Sequence, residues 1–356
     1  MPLAATWAAD LQPVLTETMA TYRVPGILVA VSQPGIDTCF TIAGADAADR
    51  PLTSHSLFPV ASITKLATAL AVLRLVDAGR MLLDDPLSLH APEAAAAQPG
   101  VTLRRLLTHT AGLPYDVERN AAPYQRGLNW DVLRSACLAT PLDRAPGEWL
   151  EYSNVGPGLL AIAVERMAGM PFRQAVGSLV LGPLGIEAYL GEEPPVTPAS
   201  IAGKYGNYAG TEREPFNSRF WRSIGFPWGG LVTNAEGALR LAQAFAGRPV
   251  GFLSQGMPAE ATADHAGGVP GTIAGMLNWE RTAWGLGPEL RGVGKEPCFA
   301  PRQASGGSFG HAGASGCLVW HDPVAGVSWF IQGARTFDTW WQAWPAIGAA
   351  ILSTLR

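Results

Sequence analysis

Apolar residues recur every three or four positions near the N-terminus, at Leu3, Trp7, Leu11, Leu15 and Met19. This spacing puts their side chains on one face of a helix, so we predict an amphipathic helix over residues 3–22. A β-branched run follows at 26–32, then the turn signal Pro34-Gly35 and a second run at 37–42. The two runs predict a β-hairpin.

A similar pattern returns near the C-terminus. Two more strands are predicted at 315–320 and 327–332, around a turn at 321–323, and a last amphipathic helix over about 339–355. Residues 62–79 predict a long apolar helix. From about 80 to 270 the chain shows helical segments broken by Pro and Gly, without sustained strand patterns.

The strands at the two ends must pair with each other, because an isolated hairpin is only marginally stable in water. We therefore predict a discontinuous α/β sheet domain made of residues 1–79 and 275–356. A mostly helical domain, residues 80–274, is inserted between its two parts. A cleft is expected where the insert meets the sheet.

Composition and charge narrow the functional classes. Of the 356 residues, 48% are apolar and 15% are charged, which fits a globular core rather than disorder. Lys and Arg number 25 against 29 Asp and Glu, a net charge of -4 without a basic cluster, so we expect no nucleic-acid partner. Charged residues or Pro interrupt every long apolar run, so no membrane association is expected either. The oligomeric state is left open.

The N-terminus lacks the basic start and apolar core of a signal peptide, so we expect a cytoplasmic protein. Four cysteines, without a CxxC pair, predict free thiols in a reducing compartment rather than a disulfide or zinc framework. No HExxH motif is present, and a zinc hydrolase is therefore not indicated.

Ser62 and Lys65 form the most informative pair in the chain. Pro59 favours an extended backbone before the helix, so Ser62 is expected at the helix start, where backbone N–H groups are unpaired. Lys65, three residues later, shares its face, and the apolar surroundings predict a buried amine that sheds its proton easily. The alternative is an ordinary N-cap serine beside a lysine that reaches solvent.

Two further segments carry candidate chemistry. Tyr152 and Asn154 stand two apart in an irregular or extended stretch, so their side chains are expected to face one cleft. An Asx-turn beside a packed Tyr is the alternative. The Gly-rich segment 306–316, with His311 inside it, predicts a close backbone approach and a strand edge that offers N–H donors. A flexible loop with an exposed His is the alternative.

Ser62-Ile-Thr-Lys65, Tyr152-Ser-Asn154 and His311-Ala-Gly313 resemble, in this order, the SxxK, YxN and KTG or HxG motifs of the serine β-lactamase and penicillin-binding-protein superfamily. The likeness is strongest to class C β-lactamases and family VIII carboxylesterases, and it extends over nearly the whole chain. It implies a β-lactamase/transpeptidase-like α/β (α+β) fold. In that fold a central antiparallel sheet is flanked by terminal helices and carries a mostly helical inserted domain.

The resemblance also implies roles for individual residues. Ser62 would be the nucleophile that takes the acyl group, with Lys65 and Tyr152 as general base and acid. Asn154 would hold Lys65 and the carbonyl side of the substrate, and the backbone N–H groups of Ser62 and Ala314 would form the oxyanion hole. No metal or organic cofactor is implied, because these groups supply the proton transfer and the charge stabilisation.

The third motif departs from the β-lactamase pattern. His311 replaces the usual Lys, and Ala312 removes the usual hydroxyl, so the site is expected to attract a carboxylate weakly. This favours uncharged small-molecule esters with short or medium acyl groups, with weak β-lactamase activity still within reach. Together with His311, the residues expected to bind the substrate are Gly313, Trp228 and Tyr124.

Competing hypotheses remain at this point. Gly306-Gly-Ser308-Phe-Gly310 matches the GxSxG elbow of α/β-hydrolases, but no helix or later Asp and His pattern follows it, so we interpret the match as coincidental. The same catalytic residues would also serve a D-stereospecific amidase or aminopeptidase, a β-lactamase or an acyltransferase. A non-catalytic sensor on this scaffold is a further alternative.

Overall fold

The strands near the two ends of the chain pair in one sheet, as predicted. β1 (Gly26–Gln33) and β12 (Val327–Gly333) run antiparallel, with Val29 opposite Ile331. The sheet is seen in a computed structural model that describes the backbone of residues 3–355 and the side chains of residues 6–355. The predicted packing of the Leu3 side chain therefore lies outside the described residues.

Ten further strands lie between these two. They are β2 (Ile36–Gly44), β3 (Phe58–Pro59), β4 (Leu150–Glu151), β5 (Ala188–Leu190), β6 (Leu231–Thr233), β7 (Gly271–Ile273), β8 (Leu277–Trp279), β9 (Glu289–Leu290), β10 (Phe309–Gly313) and β11 (Cys317–Asp322). The main sheet has the order β2-β1-β12-β11-β10-β9 and is antiparallel throughout. Two small sheets have the orders β3-β6-β5 and β4-β7-β8.

Eleven α-helices lie in the described part of the chain. They are α1 (Leu3–Tyr22), α2 (Thr64–Asp77), α3 (Leu87–His90), α4 (Leu103–Leu107), α5 (Trp130–Ala139), α6 (Val155–Ala168), α7 (Phe172–Val176), α8 (Arg219–Ile224), α9 (Ala235–Phe245), α10 (Met257–Ala261) and α11 (Trp344–Ser353). Across residues 3–355, no helix combines the length and the apolar character that a bilayer crossing needs.

The main sheet is buried on both faces, which explains why β1 is apolar at nearly every position. Ile27 and Val29 share a core cluster with α1 and α11, and the Trp7 indole N–H donates to the Ile351 carbonyl at 3.1 Å to join these two helices. Leu28, on the opposite face, belongs to the cluster built around α2 and α9. The terminal helices α1 and α11 thus cover one face of the main sheet, and the cluster around α2 and α9 covers the other.

The segment predicted to lack sustained strands contains short ones. β4, β5 and β6 are two or three residues long, which is too short to show a period-two pattern in the sequence. Helices α3–α10 lie in the same segment and account for most of its regular secondary structure. The boundaries predicted for the inserted domain stay a prediction.

Candidate active site

Ser62 lies where the chain turns into α2. Residues Ala61–Ile63 form a 3-10 turn that continues directly into α2. Ala61 has a φ of 45°, a left-handed conformation that alanine rarely adopts. The Val60 N–H donates to the Leu231 carbonyl at 3.0 Å, which ties this turn to β6. The serine side chain is half-buried and lines a mostly apolar pocket next to β10.

Lys65 sits one turn along α2 with only 3% of its surface exposed. Its Nζ is 2.8 Å from Asn154 Oδ1, 3.1 Å from the Trp228 carbonyl oxygen and 3.3 Å from Ser62 Oγ. Burial lowers the pKa of the amine well below its usual value, and the charge of Asp116 only partly opposes this. A neutral amine has two N–H donors for the two carbonyl oxygens and one lone pair left for the Ser62 hydroxyl.

Tyr152 approaches the same two side chains from the loop between β4 and α6. Its hydroxyl is hydrogen-bonded to Ser62, and its ring centroid is 4.6 Å from Lys65 Nζ. Burial raises the pKa of the phenol well above its usual value, so the group is a protonated donor around neutral pH. The rings of His109 and Trp284 pack against it, with centroids 4.7 and 5.9 Å away.

Asn154 links Lys65 to a residue that the sequence did not single out. The amide oxygen faces the lysine, and Nδ2 donates to Asp116 Oδ2 at 3.2 Å. The Asn154 backbone N–H donates to the Tyr115 carbonyl at 2.7 Å, which fixes the loop. Both ends of the amide are therefore engaged with protein groups, and Asn154 is absent from the residues that line the pocket.

The HxG segment lies on β10 and forms the opposite wall. Neutral His311 donates from Nδ1 to the Ala312 carbonyl at 2.7 Å, and burial lowers the pKa of the imidazole to about 3. A Cβ on Gly313 would lie 2.4 Å from the Val60 carbonyl oxygen, so only glycine lets β10 come this close to the turn that carries Ser62. Ala314 follows at the exposed end of the strand and also lines the pocket.

Apolar and aromatic side chains surround an open pocket of about 460 Å³ next to Ser62. The lining residues beyond the three motifs are Tyr115, Ile273, Met276, Trp284, Glu289, Phe299 and Phe337. Among the described residues, no Lys or Arg lines it. These positions come from loops and strand ends that are distant in sequence, so local patterns gave no signal for them.

Two of the residues predicted to bind the substrate lie elsewhere. The Tyr124 hydroxyl donates to the Arg213 carbonyl at 2.9 Å, and its ring packs on Tyr208 and Phe220, away from the pocket. The Trp228 side chain is buried against Phe226 and Trp130, and only its carbonyl oxygen reaches the site, through Lys65. Both rings therefore pack against other aromatic side chains of the helical segment and do not line this pocket, and their role in substrate binding stays a prediction.

Ser308 and His109 have local roles. Ser308 is completely buried in a turn before β10, and the strand that follows it replaces the helix of a nucleophile elbow. The Ser153 N–H donates to His109 Nδ1 at 3.1 Å, which braces the Tyr152 loop. In residues 3–355 no group of three His, Cys, Asp or Glu side chains is placed to hold a metal ion.

Comparisons with known proteins agree with this geometry. The protein family described as Beta-lactamase matches residues 11–354. Esterase EstB of Burkholderia gladioli is 31% identical over 369 aligned positions, covering 93% of this chain and 88% of its own.

Solved structures show the same fold. A beta-lactamase of Mycobacterium bovis superposes with a TM-score of 0.66 at 27% identity, covering 96% of this chain and 99% of its own. EstCE1, described as a hydrolase with promiscuous acyltransferase activity, has a TM-score of 0.75 at 18% identity and covers 99% of each chain. The D-amino acid amidase of Ochrobactrum anthropi SV3 has a TM-score of 0.74 at 22% identity, covering 98% of this chain and 97% of its own.

Proposed function

The chain belongs to the beta-lactamase family and is a serine hydrolase, and from this premise we propose that it cleaves small carboxylic esters with short or medium acyl groups. The observation that carries the proposal is the wall opposite Ser62. A neutral His311 stands there, and no cation lines the pocket among the described residues. A carboxylate-bearing β-lactam would find no charged partner, whereas an uncharged ester needs none. The similarity to an esterase supports the same choice.

The first step that we propose is attack by Ser62 on the ester carbonyl carbon. Lys65 takes the hydroxyl proton on its lone pair while Oγ forms the new bond, since its other two positions are held by Asn154 and Trp228. The lowered pKa of Lys65 supports this role because a protonated amine has no lone pair to offer.

The negative charge then moves to the former carbonyl oxygen. Across residues 3–355, the backbone N–H groups of Ser62 and Ala314 have no hydrogen-bond acceptor of their own, and both residues line the pocket. We propose that they form the oxyanion hole. Loss of one such donor raises the barrier by about 2.7–4 kcal/mol in enzymes of this kind.

Collapse of the tetrahedral intermediate breaks the bond to the alcohol. The Tyr152 phenol, protonated and hydrogen-bonded to Ser62, gives its proton to the leaving oxygen and regains one from Lys65. Water then attacks the acyl-enzyme by the same steps in reverse order. Lys65 and Tyr152 are best treated as one coupled unit.

The test is a substrate panel run on wild type and on Ser62→Ala. We expect hydrolysis of p-nitrophenyl acetate, butyrate and octanoate, little turnover of nitrocefin or D-phenylalanine amide, and loss of activity by about 10³-fold or more in the variant. Ser308→Ala is the matched control and should keep wild-type rates. Preferred turnover of the amide or of nitrocefin would replace the esterase assignment by an amidase or a β-lactamase.

A second measurement tests the nucleophile directly. Intact-mass spectrometry after treatment with a serine-reactive phosphonate should show one adduct that Ser62→Ala abolishes and Ser308→Ala retains. A wild-type protein that stays unmodified would favour a sensor.

We further propose that the protein acts in the cytoplasm, because its four cysteines all carry free thiols.

A further inference from the structure

The peptide unit between Ala61 and Ser62 carries two polar groups beside the pocket. Its carbonyl belongs to Ala61 and its N–H to Ser62, and both lie in one plane and point in opposite directions. Thr64 Oγ1 donates to this carbonyl oxygen at 2.6 Å. We infer that Thr64 is a positioning residue that aims the Ser62 N–H into the oxyanion hole, an inference that rests on the proposed function.

The Thr64 hydroxyl is fixed by partners on two sides. It donates to Ala61 and accepts the Leu231 N–H at 3.0 Å, and the residue is buried from water. A β-branched side chain in a helix has few rotamers, so the hydroxyl keeps its direction. Thr64 therefore connects the nucleophile turn to β6, the strand next to it.

The conformation of Ala61 explains why such a clamp is needed. A left-handed alanine costs of order 1–3 kcal/mol and persists only when its surroundings hold it. Backbone bonds supply part of the hold: the Thr64 N–H also reaches the Ala61 carbonyl, and Val60 is tied to Leu231. The Cys317 thiol donates to the Val60 carbonyl at 3.3 Å on the other side.

The Thr64 hydroxyl fixes the orientation of the Ala61–Ser62 peptide plane and polarises that peptide. Rotation of the peptide plane would move the Ala61 oxygen away from Thr64 Oγ1 and would turn the Ser62 N–H out of the pocket. A hydrogen bond accepted at a carbonyl also strengthens the N–H of the same peptide as a donor. Thr64 thus acts on the transition state without touching the substrate.

The variant Thr64→Val keeps the shape and removes the hydroxyl, whereas Thr64→Ser keeps the hydroxyl. We expect Thr64→Val to lower kcat on p-nitrophenyl butyrate by about 10- to 100-fold with KM changed less than about threefold, because a weakened oxyanion donor acts in the transition state. Thr64→Ser should stay within about threefold of wild type. Melting temperatures identify variants that fail to fold.

A thionoester substrate separates positioning from general damage. Its sulfur accepts hydrogen bonds weakly, so the ratio of ester to thionoester rates reports how strongly the oxyanion hole stabilises the negative charge on oxygen. The ratio should shrink in Thr64→Val and stay at the wild-type value in Thr64→Ser. Thr68→Val is the matched control, because it removes another buried threonine hydroxyl of α2, one that bonds the Pro227 carbonyl at 2.5 Å.

Three results would overturn the inference. They are equal loss on ester and thionoester in Thr64→Val, the same loss in Thr64→Ser, and an altered ratio in Thr68→Val. None of them bears on the esterase proposal, which depends on whether wild type hydrolyses esters and Ser62→Ala does not. If wild type fails to hydrolyse esters, the proposed function fails first.

Discussion

Two buried lysines lie near the catalytic pocket in opposite surroundings. Lys65 is held by an amide oxygen, a carbonyl oxygen and a hydroxyl, with no carboxylate in direct contact among the described residues. Lys295 is just as buried, but its Nζ lies 2.6 Å from Glu289 Oε1, and both side chains are at most 2% exposed. The rings of Trp279 and Trp284 flank it, with centroids 4.5 and 5.3 Å from Nζ.

The difference shows how one residue type serves two purposes. A carboxylate in contact stabilises the ammonium form and makes a lysine a structural cation. Neutral acceptors bond the N–H groups of the amine but do not stabilise its positive charge. Burial therefore favours the deprotonated form of Lys65. The distance from the nearest carboxylate therefore distinguishes Lys65, the proposed base, from Lys295, the ion-pair partner.

The largest effect is expected when Lys65 is changed to Met. Loss of the proton acceptor should reduce kcat by about 10³-fold, within the range for general base catalysis. The unfolding free energy should change much less, because no buried carboxylate loses its partner. Steady-state kinetics measure kcat, and urea denaturation measures the unfolding free energy. A variant that loses stability but keeps wild-type kcat in its folded fraction would contradict the contrast between Lys65 and Lys295.

Changing Lys295 to Met should have the reverse outcome. Glu289 is left as a buried, unpaired carboxylate, so the unfolding free energy should fall by about 3–5 kcal/mol. The folded fraction should keep most of its activity. The double variant Glu289→Leu with Lys295→Met should recover most of the stability, because replacing a buried pair by apolar groups is often close to neutral. Wild-type stability in Lys295→Met alone would refute the ion-pair argument.

Asn154→Asp gives Lys65 the kind of partner that Lys295 has. The new carboxylate, placed where Oδ1 lies 2.8 Å from Nζ, should raise the pKa of Lys65 by about 1–3 units. The amine is active only when neutral, so the acid limb of the kcat/KM profile should move to higher pH. At neutral pH the rate should fall by about 10- to 100-fold and recover as the pH rises. Asn154→Leu is the control, since it weakens the hold on Lys65 without moving that limb upward.

The smallest effect is expected at His311. Its pKa of about 3 keeps the imidazole neutral throughout the neutral range, so it contributes no limb to the profile there. His311→Gln should leave the shape of the kcat/KM profile between about pH 5 and 9 unchanged, with a rate change of no more than a few-fold. A limb in this range that vanishes in the variant would show that His311 titrates during the reaction.

The sequence predicted the frame of the fold well because burial on both faces leaves a readable pattern. The apolar runs at 26–32 and 327–332 correspond to β1 and β12, and their pairing followed from the weakness of isolated hairpins. β10 was harder to predict. Its residues Phe309–Gly313 include two glycines, which have low strand propensity, and the close approach of Gly313 to Val60 explains one of them.

The site was predictable where chemistry is local in sequence and unpredictable where it is not. Ser62 and Lys65 lie one helical turn apart, so their proximity follows from α2 alone. Tyr152 reaches them only through the tertiary fold, and the family resemblance pointed to it. Asp116 and Trp284 carry no local signal, because each is a single residue whose contacts come from distant segments.

The pairing of β1 with β12 has a consequence for the order in which the protein matures during synthesis. The main sheet includes strands that the ribosome makes long after Ser62, among them β10, which forms the opposite wall of the pocket. A growing chain that already carries Ser62, the proposed nucleophile, therefore lacks one wall of the pocket. Under the proposed mechanism, hydrolysis therefore requires that translation has passed β10, β11 and β12, and we expect chains released before these strands to be inactive.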